Sequence, residues 1–232
     1  MKKTISIALL GSFILIAACT EESKTISTGE INSVEPKNQQ EVQYGSPVII
    51  KGTDFALYPL KLNESDDSDS YKREAVNNYW NMIFYNTLSG KSELLTKERL
   101  VINSFNIGNS ENRSNNKNNL SDQFIYYSVT DSDNDGDKKL TTKDPHKFYI
   151  SKLDGTAFTR ITPYNYHLSN WKIDDQHNLI FIDLIKDSNG DKKFNEADEV
   201  EYFVYNLKTE AFKVVFDQGL KDEVKNLAKK IF

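Results

Sequence analysis

One acidic pattern, D-x-[DN]-G-D-K-K-[LF]-x-x-x-D, is written twice in this chain, from Asp133 to Asp144 and from Asp187 to Asp198. The copies start 54 residues apart and sit inside a longer repeat. At the same spacing Phe148-Tyr149-Ile150 matches Tyr202-Phe203-Val204, Leu153 matches Leu207, and Ala157-Phe158 matches Ala211-Phe212. Upstream, Ile125-Tyr126-Tyr127 is expected to correspond to Leu179-Ile180-Phe181. Short runs rich in β-branched and aromatic residues, separated by Asp, Asn and Gly, read as strands joined by turns. Each unit is therefore strand, acidic loop, strand, turn, strand, with hairpin turns at Lys152–Gly155 and Asn206–Thr209.

A fainter copy precedes these two. Met82 to Gly90 mirrors Lys147 to Gly155, and a strand from Phe55 to Leu62 leads into an acidic stretch, Glu64 to Asp69. That stretch lacks the glycine and the ligand spacing. Further strands around Leu100–Ile102 and Leu168–Ile173 would open the second and third units. The expected fold is all-β: an antiparallel meander of three blade-like repeats with a short C-terminal helix. Units of four strands resemble the blades of a β-propeller, whose repeats run about 40–50 residues. Three blades do not close the usual ring of about four to eight. An incomplete propeller, a stack of antiparallel sheets and half of a dimeric ring all fit.

Calcium needs about six to eight oxygen ligands. In the first loop Asp133, Asp135 and Asp137 each offer a carboxylate, Lys139 a backbone carbonyl, and Asp144 closes from position 12. The second set is Asp187, Asn189, Asp191, the Lys193 carbonyl and Asp198. These residues resemble EF-hand and dockerin-type loops, which implies two Ca2+ sites. Two departures weaken the binding expected. Lys138 and Lys192 replace the glycine of position 6, where a left-handed turn would cost about 1–2 kcal/mol. Aspartate also replaces the longer glutamate at position 12. Affinity is expected on the order of 10⁻⁴–10⁻³ M, as in extracellular modules. A rival register beginning at Asp131 would put Gly136 at position 6, but the second copy then opens on Ile185. Leu140 and Phe194, at position 8, are expected to tie the loops to the core.

The N-terminus assigns a compartment. Lys2 and Lys3 precede the apolar run Ile5 to Ile16, which is too short for a membrane span. Ile16-Ala17-Ala18-Cys19 resembles the lipobox of bacterial lipoproteins, and Cys19 is the only cysteine of the 232 residues. The resemblance implies that residues 1–18 are a cleaved signal and that Cys19 carries the lipid that anchors the chain to a membrane. Thr20 stands where an inner-membrane retention signal would have aspartate. The expected location is therefore the cell envelope, at the outer membrane, facing periplasm or surface. Residues 19–45 read as a polar tether and 46–232 as the β-repeat domain.

Composition and motifs narrow the function classes. The net charge of −5, with no Lys/Arg cluster, lacks the electrostatic footprint of a nucleic-acid binder. Nucleophile elbows, phosphate-cradling glycine loops and zinc-protease helices are absent from the sequence. His146, His167 and His177 are scattered and read as exposed strand-end residues. Tyr79-Trp80, Tyr164, Tyr166 and Trp171 read mainly as core and cross-strand aromatics, with a sugar- or peptide-binding face as the alternative. Asn103 to Asn119, with eight asparagines, reads as a long mobile loop. Leu220, Val224, Leu227, Ala228 and Ile231 share one helical face, expected to cap an open sheet edge. The expectation is a non-catalytic envelope module that binds a protein or glycan partner. The alternative is an extracytoplasmic hydrolase with structural calcium.

Overall fold

Strands form where apolar side chains alternate with polar ones, and they break where Asn, Asp and Gly supply turn chemistry. The computed structural model describes residues 42–62, 78–109, 119–141 and 143–231, all within the compact unit Gln40–Phe232. Three antiparallel sheets result. The first holds β1 (Val42–Tyr44), β2 (Val48–Ile49), β3 (Phe55–Leu62), β4 (Asn81–Asn86) and β5 (Ser92–Leu94), with β1 and β2 both pairing β3. The second is a meander of β6 (Val101–Ile107), β7 (Phe124–Thr130), β8 (His146–Lys152) and β9 (Thr159–Arg160). The third repeats it with β10 (Tyr166–Asp174), β11 (Leu179–Lys186), β12 (Glu199–Asn206) and β13 (Phe212–Val214). One helix, α1 (Gln218–Ala228), follows. The mostly β, blade-like architecture with a short C-terminal helix is as expected from the sequence.

The second sheet is the middle layer. Ile125, Tyr127, Val129 and Tyr149 point from it into one core with Ile50, Leu57, Met82 and Phe84 of the first sheet side. Tyr126, Phe148 and Ile150 point the other way, into a second core with Leu168, Ile180, Ile182 and Leu184. The period of two thus places apolar side chains on both faces of β7 and β8, which is why these strands read as nearly continuous apolar runs.

Strand pairing corrects the repeat in one respect. Tyr149 pairs with Tyr127, but its counterpart Phe203 pairs with Ile182, not Phe181. Ile125 and Tyr127 therefore correspond to Ile180 and Ile182, one residue beyond the constant spacing. Three residues separate Val129 from Asp133, whereas two separate Leu184 from Asp187. A shift of one residue exchanges the faces of a strand, so burial forces this register. The first unit is shifted as well: Leu95, Ile161 and Val215 donate their amides to the carbonyls of Met82, Phe148 and Tyr202. Met82 is thus the equivalent of Phe148 rather than of Lys147.

Other segments also differ from expectation. The sheet begins at Val42, inside the expected tether. Asn103 to Ile107 are strand, because Ile102, Phe105 and Ile107 carry an apolar pattern hidden among asparagines. The rest of that stretch is described only at Gly108, Asn109 and Asn119. Helix α1 caps no sheet edge by packing: it has no buried residue, and Leu220, Val224 and Leu227 are exposed. Asp217 caps its N-terminus by accepting from the Leu220 amide, and Lys221 reaches Glu199 on β12 at 3.3 Å. The acidic stretch Glu64 to Asp69 lies outside the described residues.

Candidate metal centre

Turn chemistry builds each acidic loop from its own residues. In the first, Asp133 accepts from the amides of Gly136 and Lys138 at 2.6 Å each. Asp135 accepts from Asp137 N–H, and Asp137 accepts from Lys139 N–H. Asp144, almost fully buried, accepts from Asn134 and Thr141 and so closes the loop on itself. The second loop makes the same bonds. Asp187 accepts from Gly190 and Lys192, Asn189 from Asp191, Asp191 from Lys193, and Asp198 from Ser188 and Asn195. Lys138 and Lys192 both adopt the left-handed conformation, with φ of 66° and 62°. Without glycine this costs about 1–2 kcal/mol in each loop, and the carboxylate–amide bonds offset it.

Ligand atoms of Asp133, Asp135 and Asp137 all lie within 4.8 Å of one another, so this cluster can hold a metal ion. An ionised carboxylate has about four acceptor positions, and the amide bonds leave most of them open. Partial desolvation opposes ionisation of Asp133, but the Gly136 and Lys138 amides outweigh it and hold its pKa below the usual value. In the second loop the Ser188 amide, with Asn195 behind it, likewise depresses Asp198. That loop has Asn189 in place of Asp135 and so brings two carboxylates together at these positions rather than three. Asp144 stands apart from the cluster of three, turned toward the amides of Asn134 and Thr141. The loops also touch each other: Asn134 Nδ2 donates to the Lys192 carbonyl at 2.7 Å.

Asp131, the start of the rival register, faces elsewhere. Its Oδ2 pairs with Arg160 at 3.1 Å and accepts from the Tyr149 hydroxyl at 2.7 Å. Leu140 and Phe194 are half-buried; Phe194 stacks on His167 at 5.7 Å. His146 and His167 are not exposed strand ends: their rings lie 5.1 Å apart between the loops' supporting strands, and His167 Nδ1 accepts from the His146 amide. Beside them Lys147 is fully buried, its Nζ donating to the carbonyls of Tyr164 and Tyr166. Burial lowers the Lys147 pKa to about 8. Sequence reasoning had no signal for this group, because its members meet only through pairing of distant strands.

The histidines make the fold acid-sensitive. Desolvation first, then the neighbouring His146 and Lys147, pull His167 from 6.5 to about 4. Between these values the unfolded chain binds a proton that the folded chain does not, so stability is full above pH 6.5 and falls as pH drops toward 4. Allowing for solvent screening of a partly exposed ring, the loss is about 2 kcal/mol. Urea titrations at stepped pH measure it. The slope between these pH values should shrink in His167→Gln, and an unchanged slope would assign it to other groups.

The expected aromatics are mostly core. Trp171 packs on Tyr126 and Phe148 at 5.3 and 5.0 Å, and Tyr79 meets Phe105 edge-on. Tyr164 alone is well exposed, under the Arg160 guanidinium, at a cleft of about 630 Å³ that also carries Glu93, Glu98 and Asp154. No helix among the described residues is long and apolar enough to cross a membrane. Cys19 lies outside the described residues. No protein-family model matches the chain, and no curated protein matches it.

Proposed function

We propose that this chain is a lipid-anchored, extracytoplasmic calcium-binding protein, without catalytic activity, that serves as a structural or partner-binding module of the bacterial cell envelope. The observation that carries this reading is the pair of acidic loops folded by one shared set of amide–carboxylate bonds. One site takes Asp133, Asp135, Asp137, the Lys139 carbonyl and Asp144; the other takes Asp187, Asn189, Asp191, the Lys193 carbonyl and Asp198. Every donor is a hard oxygen, which suits calcium and not a soft metal. A bound ion would neutralise clustered charge and clamp β7 to β8 and β11 to β12. The strained lysines and the short residue at position 12 keep affinity weak. The lipobox-like Ile16 to Cys19 supports the anchor, and the partner would be a protein or a glycan.

The test is thermal unfolding of the full chain carrying Cys19→Ser, with calcium or with chelator. Native-state binding stabilises by RT ln(1 + [L]/Kd), so about 1 mM calcium should add about 1–3 kcal/mol over two such sites. That corresponds to a rise in Tm of about 2–10 °C for a domain of this size. Asp133→Asn with Asp137→Asn should remove the larger part. An unchanged Tm overturns the metal assignment.

A further inference from the structure

The stack of three sheets ends on two apolar faces. In the first sheet Leu57, Met82, Phe84 and Leu95 face the second and are buried there. Their equivalents by strand pairing, Tyr126, Phe148, Ile150 and Ile161, face the third sheet and pack against it. The same positions on the third sheet are Phe181, Tyr202, Val204 and Val215. They are apolar too, yet Phe181 and Tyr202 are 41% and 40% exposed. The chain repeats the side chains of a sheet-packing face on the third sheet, against which no further sheet packs among the described residues.

At the other end, register places Tyr44, Ile49, Tyr58, Ile83 and Leu94 on the face of the first sheet turned away from the second. Tyr58 and Ile83 pair at the position that Tyr127 and Tyr149, then Ile182 and Phe203, occupy in the later sheets. Those later pairs are the ones that receive the preceding sheet. Tyr44 and Ile49 are 70% and 66% exposed, whereas their cross-strand partners on the same face, Leu60 and Ala56, are buried, so this face is open at its margins. Among the described residues, then, no sheet follows the third and none precedes the first. Clustered exposed apolar side chains of this kind suit an interaction surface.

We propose that two copies of this chain close head to tail, the third sheet of each packing on the first sheet of the other. The contact would continue the packing used twice within the chain, and it supplies each open face with the kind of face that its repeat positions meet internally. Two copies of three sheets make six, within the range of about four to eight blades that close a ring. Both new contacts are identical and related by a twofold axis, so the two end sheets are both occupied and only the stripe of α1 stays open.

The test uses the full chain with Cys19→Ser, so that lipid does not drive association, with mass measured by sedimentation equilibrium over a wide concentration range. The expected mass is twice that of one chain. Phe181→Glu with Tyr202→Glu, and separately Ile49→Glu with Leu94→Glu, should each give monomers, weakening association on the order of thirtyfold per substitution. All four positions are exposed, and circular dichroism confirms that each variant folds. Mixing the two variants should restore a dimer, because one contact then joins two unaltered faces. Three results overturn the proposal: a monomeric parent, a dimer lost only through the third-sheet variant, or assemblies that keep growing with concentration. They point in turn to another occupant of the faces, to like faces pairing, and to an open filament.

Discussion

Replacing Phe148 with alanine should lower stability by about 3–5 kcal/mol. The side chain is fully buried on β8, on the face that the second sheet turns toward the third. It stacks on Tyr126 at 6.2 Å and meets Trp171 at 5.0 Å. Truncation removes the transfer energy of the ring and leaves a cavity that two rigid sheets do not collapse to fill. Phe148→Leu keeps most of the volume and should cost less than about 2 kcal/mol. Urea unfolding of both variants measures the difference. Equal losses would mean that shape, not volume, holds this contact.

Gly155→Ala is expected to cost about 2–5 kcal/mol, summing a left-handed backbone and a steric overlap. Gly155 lies in the turn after β8 with φ of 82°, and an added Cβ would meet ring atoms of Phe84 at 2.5 and 2.6 Å. Phe84 belongs to the first sheet, so this turn lies where two sheets press together. Gly90, in the turn after β4, gives the control: its φ is 70° and a Cβ there would meet nothing within 4 Å. Gly90→Ala should therefore cost only the conformational part, about 1–2 kcal/mol. If the two variants melt alike, contact with Phe84 contributes nothing.

The acidic loops were the most legible part of the chain. Their amide–carboxylate bonds close within a dozen residues, so the spacing of Asp, Asn and Gly encodes them locally. Even the left-handed Lys138 and Lys192 stand at position 6, where the resemblance to EF-hand-type loops implies that turn. Strand identity was readable for the same reason, since alternation is a short-range pattern. Strand faces were less so. The one-residue difference before Asp133 is invisible in a constant-spacing alignment, yet it decides that Ile182 rather than Phe181 is buried. Asn103 to Ile107 misled because asparagine signals turns locally, while pairing with β7 imposes strand.

The proximity of His146, His167 and Lys147 was beyond sequence reasoning, because strands far apart in the chain bring them together. Helix α1 shows the opposite limit: its apolar stripe was written in the sequence, but the stripe says nothing of what it meets. The sequence alone determined what each short segment does with its own backbone: strand, turn or oxygen-rich loop. The tertiary structure decided which side of each strand is dry, which titratable groups are buried, and which apolar faces stay open. Local geometry is governed by bonds among near neighbours, whereas burial depends on surfaces that meet only after the chain has folded.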